Sequence, residues 1–122
     1  MSKPESIKID EVEYVRKDSV SQCAKKLDGM DYVIVRTYSA GVFAGYLARR
    51  NQKEVSLINA RRLWRWEGAA SLSQLAMEGV SSPQNCKFPC EVDSVTLTEA
   101  IEIIDCTEKA QKSIKRVKIW KL

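Results

Sequence analysis

Apolar residues recur along this chain with two different periods, and the change from one to the other marks out its elements. From Tyr32 the period is two. Val33, Val35 and Thr37 alternate with Tyr32, Ile34, Arg36 and Tyr38, which predicts a strand ending at the small-residue turn Ser39-Ala40-Gly41. Val42 to Arg49 predicts a second strand, with Phe43, Gly45 and Leu47 on one face and Val42, Ala44, Tyr46 and Ala48 on the other. Arg50-Asn51-Gln52-Lys53 is a polar hairpin turn, and a third strand runs from Glu54 through Val55, Ser56, Leu57 and Ile58. The alternation slips at Asn59-Ala60, which predicts a bulge or bend before Arg61-Arg62-Leu63-Trp64-Arg65-Trp66.

Beyond Glu67-Gly68 the period lengthens. Ser71 and Gln74 match the capping box S-x-x-Q, opening a helix with Leu72, Leu75 and Ala76 on one face and Gly79 at its end. Residues 81–85 read as a loop, and Val92–Thr98 and Ala100–Cys106 as two further strands. Thr107 caps a helix over Glu108–Ser113, and Val117, Ile119 and Trp120 read as a closing strand. Upstream, Ile7, Ile9, Val12 and Tyr14 suit a short strand or a loose cover. Asp18 or Ser19 can cap a helix carrying Val20, Cys23, Ala24 and Leu27, closed by Gly29. The pattern predicts an α+β fold: a curved antiparallel sheet or small barrel-like core flanked by two or three short helices. Residues 1–30 form an N-terminal extension, and 31–122 a single ligand-binding domain.

Composition narrows the function. At 122 residues, 44% hydrophobic and 30% charged, the chain has enough apolar material for one core. Its net charge of +4 attracts phosphates but falls short of a nucleic-acid-coating excess. The opening MSKPESIKIDEVEY lacks the apolar segment of a signal peptide, and no later run is long enough to span a bilayer, so an intracellular protein without a membrane partner is expected. Histidine is absent, which removes the commonest general base and metal ligand. No phosphate-loop or dinucleotide fingerprint is present. The composition points away from an enzyme and from a metal or other cofactor.

What remains is concentrated between Tyr32 and Trp66. The block holds six arginines (Arg36, Arg49, Arg50, Arg61, Arg62, Arg65) among Tyr32, Tyr38, Phe43, Trp64 and Trp66. Guanidinium forks grip phosphate and aromatic faces stack on bases, so the combination suits a planar anion. The competing expectation is that the tryptophans fill the core while arginine stems cover it. Ser39-Ala40-Gly41 is a tight hairpin whose amides lie within reach of an anion. Cys86 and Cys90 have C-x-x-x-C spacing, but without histidine the two lack the other half of a zinc site and read as thiols, like Cys23 and Cys106. Glu91, Asp93, Glu99, Glu102 and Asp105 read as a solvated strand face.

The runs YVIVRTYSAGVFAGYL, NARRLWRWEGAASLSQLAMEGV, CKFPCEV, LTEAIEIIDCTEKAQKSI and VKIWKL, across residues 31–122, resemble a family of small proteins carried by phages and prophages. In size and build the chain is also similar to the first type of Thoeris anti-defence protein. Proteins of that family are sponges for cyclic ADP-ribose isomers made by a bacterial TIR immune enzyme, and some bind cyclic oligonucleotides. They hold the signal uncleaved in pockets between protomers of a symmetric oligomer. The resemblance implies a phage-encoded sequestering protein in the host bacterial cytoplasm, a dimer or dimer-based homo-oligomer with a cyclic nucleotide-type ligand. On that basis Arg36, Arg61 and Arg62 contact phosphates, Tyr38, Phe43, Trp64 or Trp66 stack on the base, and Asn59 hydrogen-bonds a base or ribose edge. Strand alternation divides the arginines between two faces, which favours a pocket at the bend near Asn59, completed by a second subunit, over a nucleic-acid track. The alternatives are an inhibitor that docks on a host protein and a nucleic-acid-binding accessory protein.

Overall fold

The computed structural model describes residues 23–121. Its elements are β1 (Tyr32–Thr37), β2 (Val42–Asn51), β3 (Glu54–Arg62), α1 (Leu72–Glu78), a 3-10 turn (Pro83–Asn85), β4 (Glu91–Leu97), β5 (Ala100–Asp105) and α2 (Glu108–Arg116). The strands form one antiparallel sheet in the order β4-β3-β2-β1-β5, so the fold is α+β.

Consecutive strands β4 and β5 lie at opposite edges of that sheet, joined only by Thr98 and Glu99. In a flat sheet of five strands the edges would stand about 19 Å apart. The step from Leu97 to Ala100 spans at most about 11 Å. The sheet must therefore curl until its edges approach. Register shifts between Ala44 and Tyr46 and between Leu47 and Arg49 bend the β2–β3 pair, and the Ala100 amide donates to the Lys53 carbonyl at the tip of that hairpin (3.0 Å). The sheet is curved but not closed into a barrel.

Curling gives the sheet two buried faces. The concave face packs Val33, Val35, Phe43, Val55, Leu57, Ala60, Leu97 and Ala100 against one another. The opposite face sets Tyr32, Ile34, Ala44 and Tyr46 against Leu75 and Ala76 of α1 and Ala110 and Ile114 of α2. Hence β1 is buried continuously from Tyr32 to Val35, while its side chains still alternate between the two cores.

Both helices start as their caps dictate. Ser71 accepts the Gln74 amide and Thr107 the Ala110 amide; the Thr107 hydroxyl also donates to the Met77 carbonyl, tying α1 to α2. Gly79 ends α1 at φ 79°, and a Cβ there would lie 2.3 Å from Ser113 Cβ. Two expected elements differ from the structure. Cys23, Ala24 and Leu27 are not helical: Cys23 bridges Thr107 and Leu27 bridges Met30 around a turn with positive φ at both Asp28 and Gly29. Asp-Gly is thus a hairpin turn here rather than a helix stop. The remainder of the expected N-terminal elements lies outside the described residues. Val117, Ile119 and Trp120 add no strand to the sheet; Ile119 makes one parallel bridge with Phe88, whose carbonyl accepts the Trp120 amide (3.0 Å).

Candidate functional site

The break in alternation at Asn59 decides what the arginines do. Asn59 sits at φ 51° in β3, a conformation asparagine tolerates better than most residues, and β3 gains one residue over β2 there. Gly45 faces the bulge; a Cβ on it would be 2.9 Å from the Ala60 backbone. After the bulge Ala60 joins the concave core and Arg61 turns to the helix side. Arg61 is 3% exposed and donates to three carbonyls: Nε to Pro89 (2.8 Å), Nη1 to Ile114 (2.9 Å) and Nη2 to Phe88 (3.0 Å). Desolvation lowers its pKa. Its donors are spent on structure. Arg62 lies on the concave side with its guanidinium 4.6 Å from the centroid of Phe43, itself 3% exposed.

Beyond β3 the chain leaves the sheet and pairs with the segment after the 3-10 turn. The Arg65 amide donates to Lys87 O (3.3 Å) and the Lys87 amide to Arg65 O (2.7 Å). That pairing, and the zipping of Trp120 to Phe88, brings together two tryptophans 56 positions apart in sequence. Trp64 (58% exposed) and Trp120 (39%) stack with centroids 5.0 Å apart and planes at 22°. The Lys87 ammonium lies 5.4 and 5.5 Å from the two ring centroids. Beside them opens a cleft of about 290 Å³ lined by Arg65, Glu67, Gln84, Asn85, Lys87 and Trp120. Arg65 is held 3.9 Å from Glu67. An exposed aromatic surface with two cations beside a cleft can receive a flat, negatively charged ligand.

The other expected site residues stand apart from this cluster or serve the fold. Trp66 is half-buried and packs on the core. Arg36 pairs with Glu102 (3.0 Å) across β1 and β5, and Tyr38 is 78% exposed after the end of β1. Asn59 is half-buried and lines neither the tryptophan cleft nor the larger cavity beside β5. The small-residue turn is stapled internally, the Thr37 hydroxyl donating to Gly41 O and accepting the Ala40 amide. Of the residues given a ligand contact only Trp64 enters the new cluster, joined by Arg65 from the same arginine–aromatic block. Lys87 and Trp120 were legible only as a lone lysine and as part of a terminal strand.

The cysteines are free thiols. Cys86 is buried, its sulfur accepting the Glu67 amide and its single S–H lying within reach of the Ser82 and Glu67 carbonyls, and burial pushes the Cys106 thiol up to about 12. Among the described residues no three histidine, cysteine or acidic side chains gather as a metal site, and no helix is long and apolar enough to cross a membrane.

Fold and site together describe an α+β domain with an exposed tryptophan–cation cleft. The chain belongs to the family described as "Domain of unknown function (DUF6948)", whose model matches residues 30–114. No curated protein and no solved structure matches the chain.

Proposed function

We propose that this chain captures a nucleotide-type signal without chemically changing it, as a phage-encoded anti-defence protein. The observation that carries the proposal is the exposed Trp64–Trp120 stack with Lys87 across both rings and Arg65 at the adjoining cleft. A base stacks on the free face of the tryptophan pair while Lys87 and Arg65 face a phosphate. The resemblance to sponges for cyclic ADP-ribose isomers supplies the ligand class, and the chemistry of the cleft agrees with it. Cyclic ADP-ribose presents an adenine and a pyrophosphate, the two groups that an aromatic face and paired cations recognise. The proposal contains no catalytic step.

The test is thermal-shift screening of the full chain against cyclic ADP-ribose isomers and cyclic di- and trinucleotides. A ligand at a hundred times its dissociation constant adds about 2.7 kcal/mol of stability, an easily read rise in melting temperature. Trp64→Ala should weaken binding by about 1–3 kcal/mol, roughly five- to 150-fold, while costing the unliganded chain only about 0.5–1.5 kcal/mol from the lost stack on Trp120. Arg36→Ala should leave affinity unchanged. The ligand should be recovered intact after denaturation. Recovery of a cleaved product, or loss of binding in Arg36→Ala but not in Trp64→Ala, would refute the assignment. Trp64, Ile119 and Trp120 are all exposed, and this apolar area near the end of the chain favours a second function, docking on a host protein. That function predicts a stable protein partner captured through Trp64 and no response to any nucleotide.

A further inference from the structure

A second feature lies away from the tryptophans, at the β5 edge of the sheet. Among the described residues β5 pairs only with β1. Its sequence, Ala-Ile-Glu-Ile-Ile-Asp, contains neither the proline nor the lysine with which proteins guard an open edge, and Ile101 is 47% exposed on it. The other edge strand, β4, is more polar, presenting Glu91, Asp93, Ser94 and Thr96 beside one exposed apolar residue, Val92 (43%). Alongside β5 runs a groove of about 520 Å³. One wall is Ala100–Ile103; the other is the tip of the β2–β3 hairpin, with Arg50, Gln52 and Lys53.

We infer that this edge is a homodimer interface, in which β5 of one protomer pairs antiparallel with β5 of a second copy. Charge complementarity selects that occupant. The groove offers a cationic lip (Arg50, Lys53) facing a strand edge that carries an exposed isoleucine and Glu102. The strand that matches it must be extended, partly apolar and acidic. Strand β5 has that chemistry itself: Ile101, Ile103 and Ile104 interspersed with Asp105 and with Glu102, whose carboxylate also pairs with Arg36 of its own chain, and preceded by Glu99, which accepts the Ser39 hydroxyl. Two-fold pairing sets the acidic strand of each copy against the basic lip of the other, so each favourable contact occurs twice. The apolar side chains and open backbone groups supply the adhesion; the charges fix the partner and its direction. Joined this way, two five-stranded sheets become one of ten strands.

The test is sedimentation equilibrium of the full chain over a range of micromolar concentrations, with amide hydrogen exchange at the same concentrations. The expected result is a dimer whose β5 amides become protected as concentration rises. Ile101→Lys should raise the dissociation constant at least about tenfold without altering the circular dichroism spectrum. Arg50→Glu with Lys53→Glu, and separately Glu99→Lys with Glu102→Lys, which also removes the Arg36–Glu102 and Ser39–Glu99 contacts within the chain, should each be monomeric with an unchanged circular dichroism spectrum. Mixing those two variants should restore a heterodimer, because an acidic lip then meets a basic strand and a basic lip an acidic one. A monomer at every concentration, a dimer indifferent to Ile101→Lys, or no association in the mixture would overturn the inference. So would β5 protection independent of concentration, which would show that another part of the same chain covers the edge. None of these outcomes depends on the nucleotide proposal.

Discussion

Arg61 shows how far one side chain's role departs from its residue type. Placed among arginines and tryptophans, it has the composition of a phosphate ligand. In the structure its guanidinium bonds three main-chain carbonyls, linking β3 to Phe88, Pro89 and the last turn of α2. A buried acceptor that loses its partner costs about 1–3 kcal/mol. Arg61→Met, which keeps the apolar stem, should therefore lower unfolding stability by about 3 kcal/mol or more, measured by urea denaturation. Arg61→Lys should recover only part of that, because one ammonium cannot span three carbonyls. A change within about 0.5 kcal/mol, the range of an ordinary surface substitution, would contradict the role assigned here.

At the scale of elements, the bulge in β3 organises the molecule. It turns Arg61 under the helices, sends Ala60 and Arg62 to the concave side, and lets Gly45 and Ala60 approach closely. Gly45→Ala forces a methyl to 2.9 Å from backbone, where no flexible side chain can yield. A loss of about 2–3 kcal/mol is expected, the scale of overpacking in a tight core. Urea denaturation of the variant checks it, and a neutral result would mean that the two strands separate more easily than the contact implies. The bulge itself was legible, because the apolar alternation breaks at Asn59-Ala60. Its effect on Arg61 was not: a break in period shows that the register changes, not which core lies on the new side.

The whole molecule buries ionisable groups between its sheet and its helices. Burial raises Tyr32 above its ordinary value and moves Cys106 from 9.0 to about 12. A group whose folded-state value is raised contributes stability that is fully present below its unfolded value and is lost as pH climbs through the folded one. For Cys106 that window runs from 9.0 to about 12, and Tyr32 adds to the loss above its ordinary 10.0. The melting temperature should be insensitive to these two groups through neutral pH and fall above about 9. Cys106→Ala should flatten the part of that fall due to the thiol, and an equally steep alkaline fall in the variant would rule the thiol out as its source.

Local chemistry determined much of this protein without help from the fold. Period-two alternation sets β1, β2 and β3; Ser71 and Thr107 open the helices they were read to cap. The small-residue turn and the break at Asn59 are also written in consecutive residues. Each of these depends on contacts a few positions apart, so sequence alone carries them. The tertiary structure decided the rest. A two-residue link between strands at opposite edges makes the sheet curl, and no local pattern says that β4 and β5 do not pair. The extended course of Cys23 and the fate of Trp120 likewise turned on distant partners, Thr107 and Phe88, whereas the Asp-Gly turn before β1 is closed locally by Leu27 and Met30. The stack of Trp64 on Trp120 beneath Lys87 joins three segments that share no spacing. It exists only because the backbone pairings of residue 65 with 87 and 120 with 88 close two long loops.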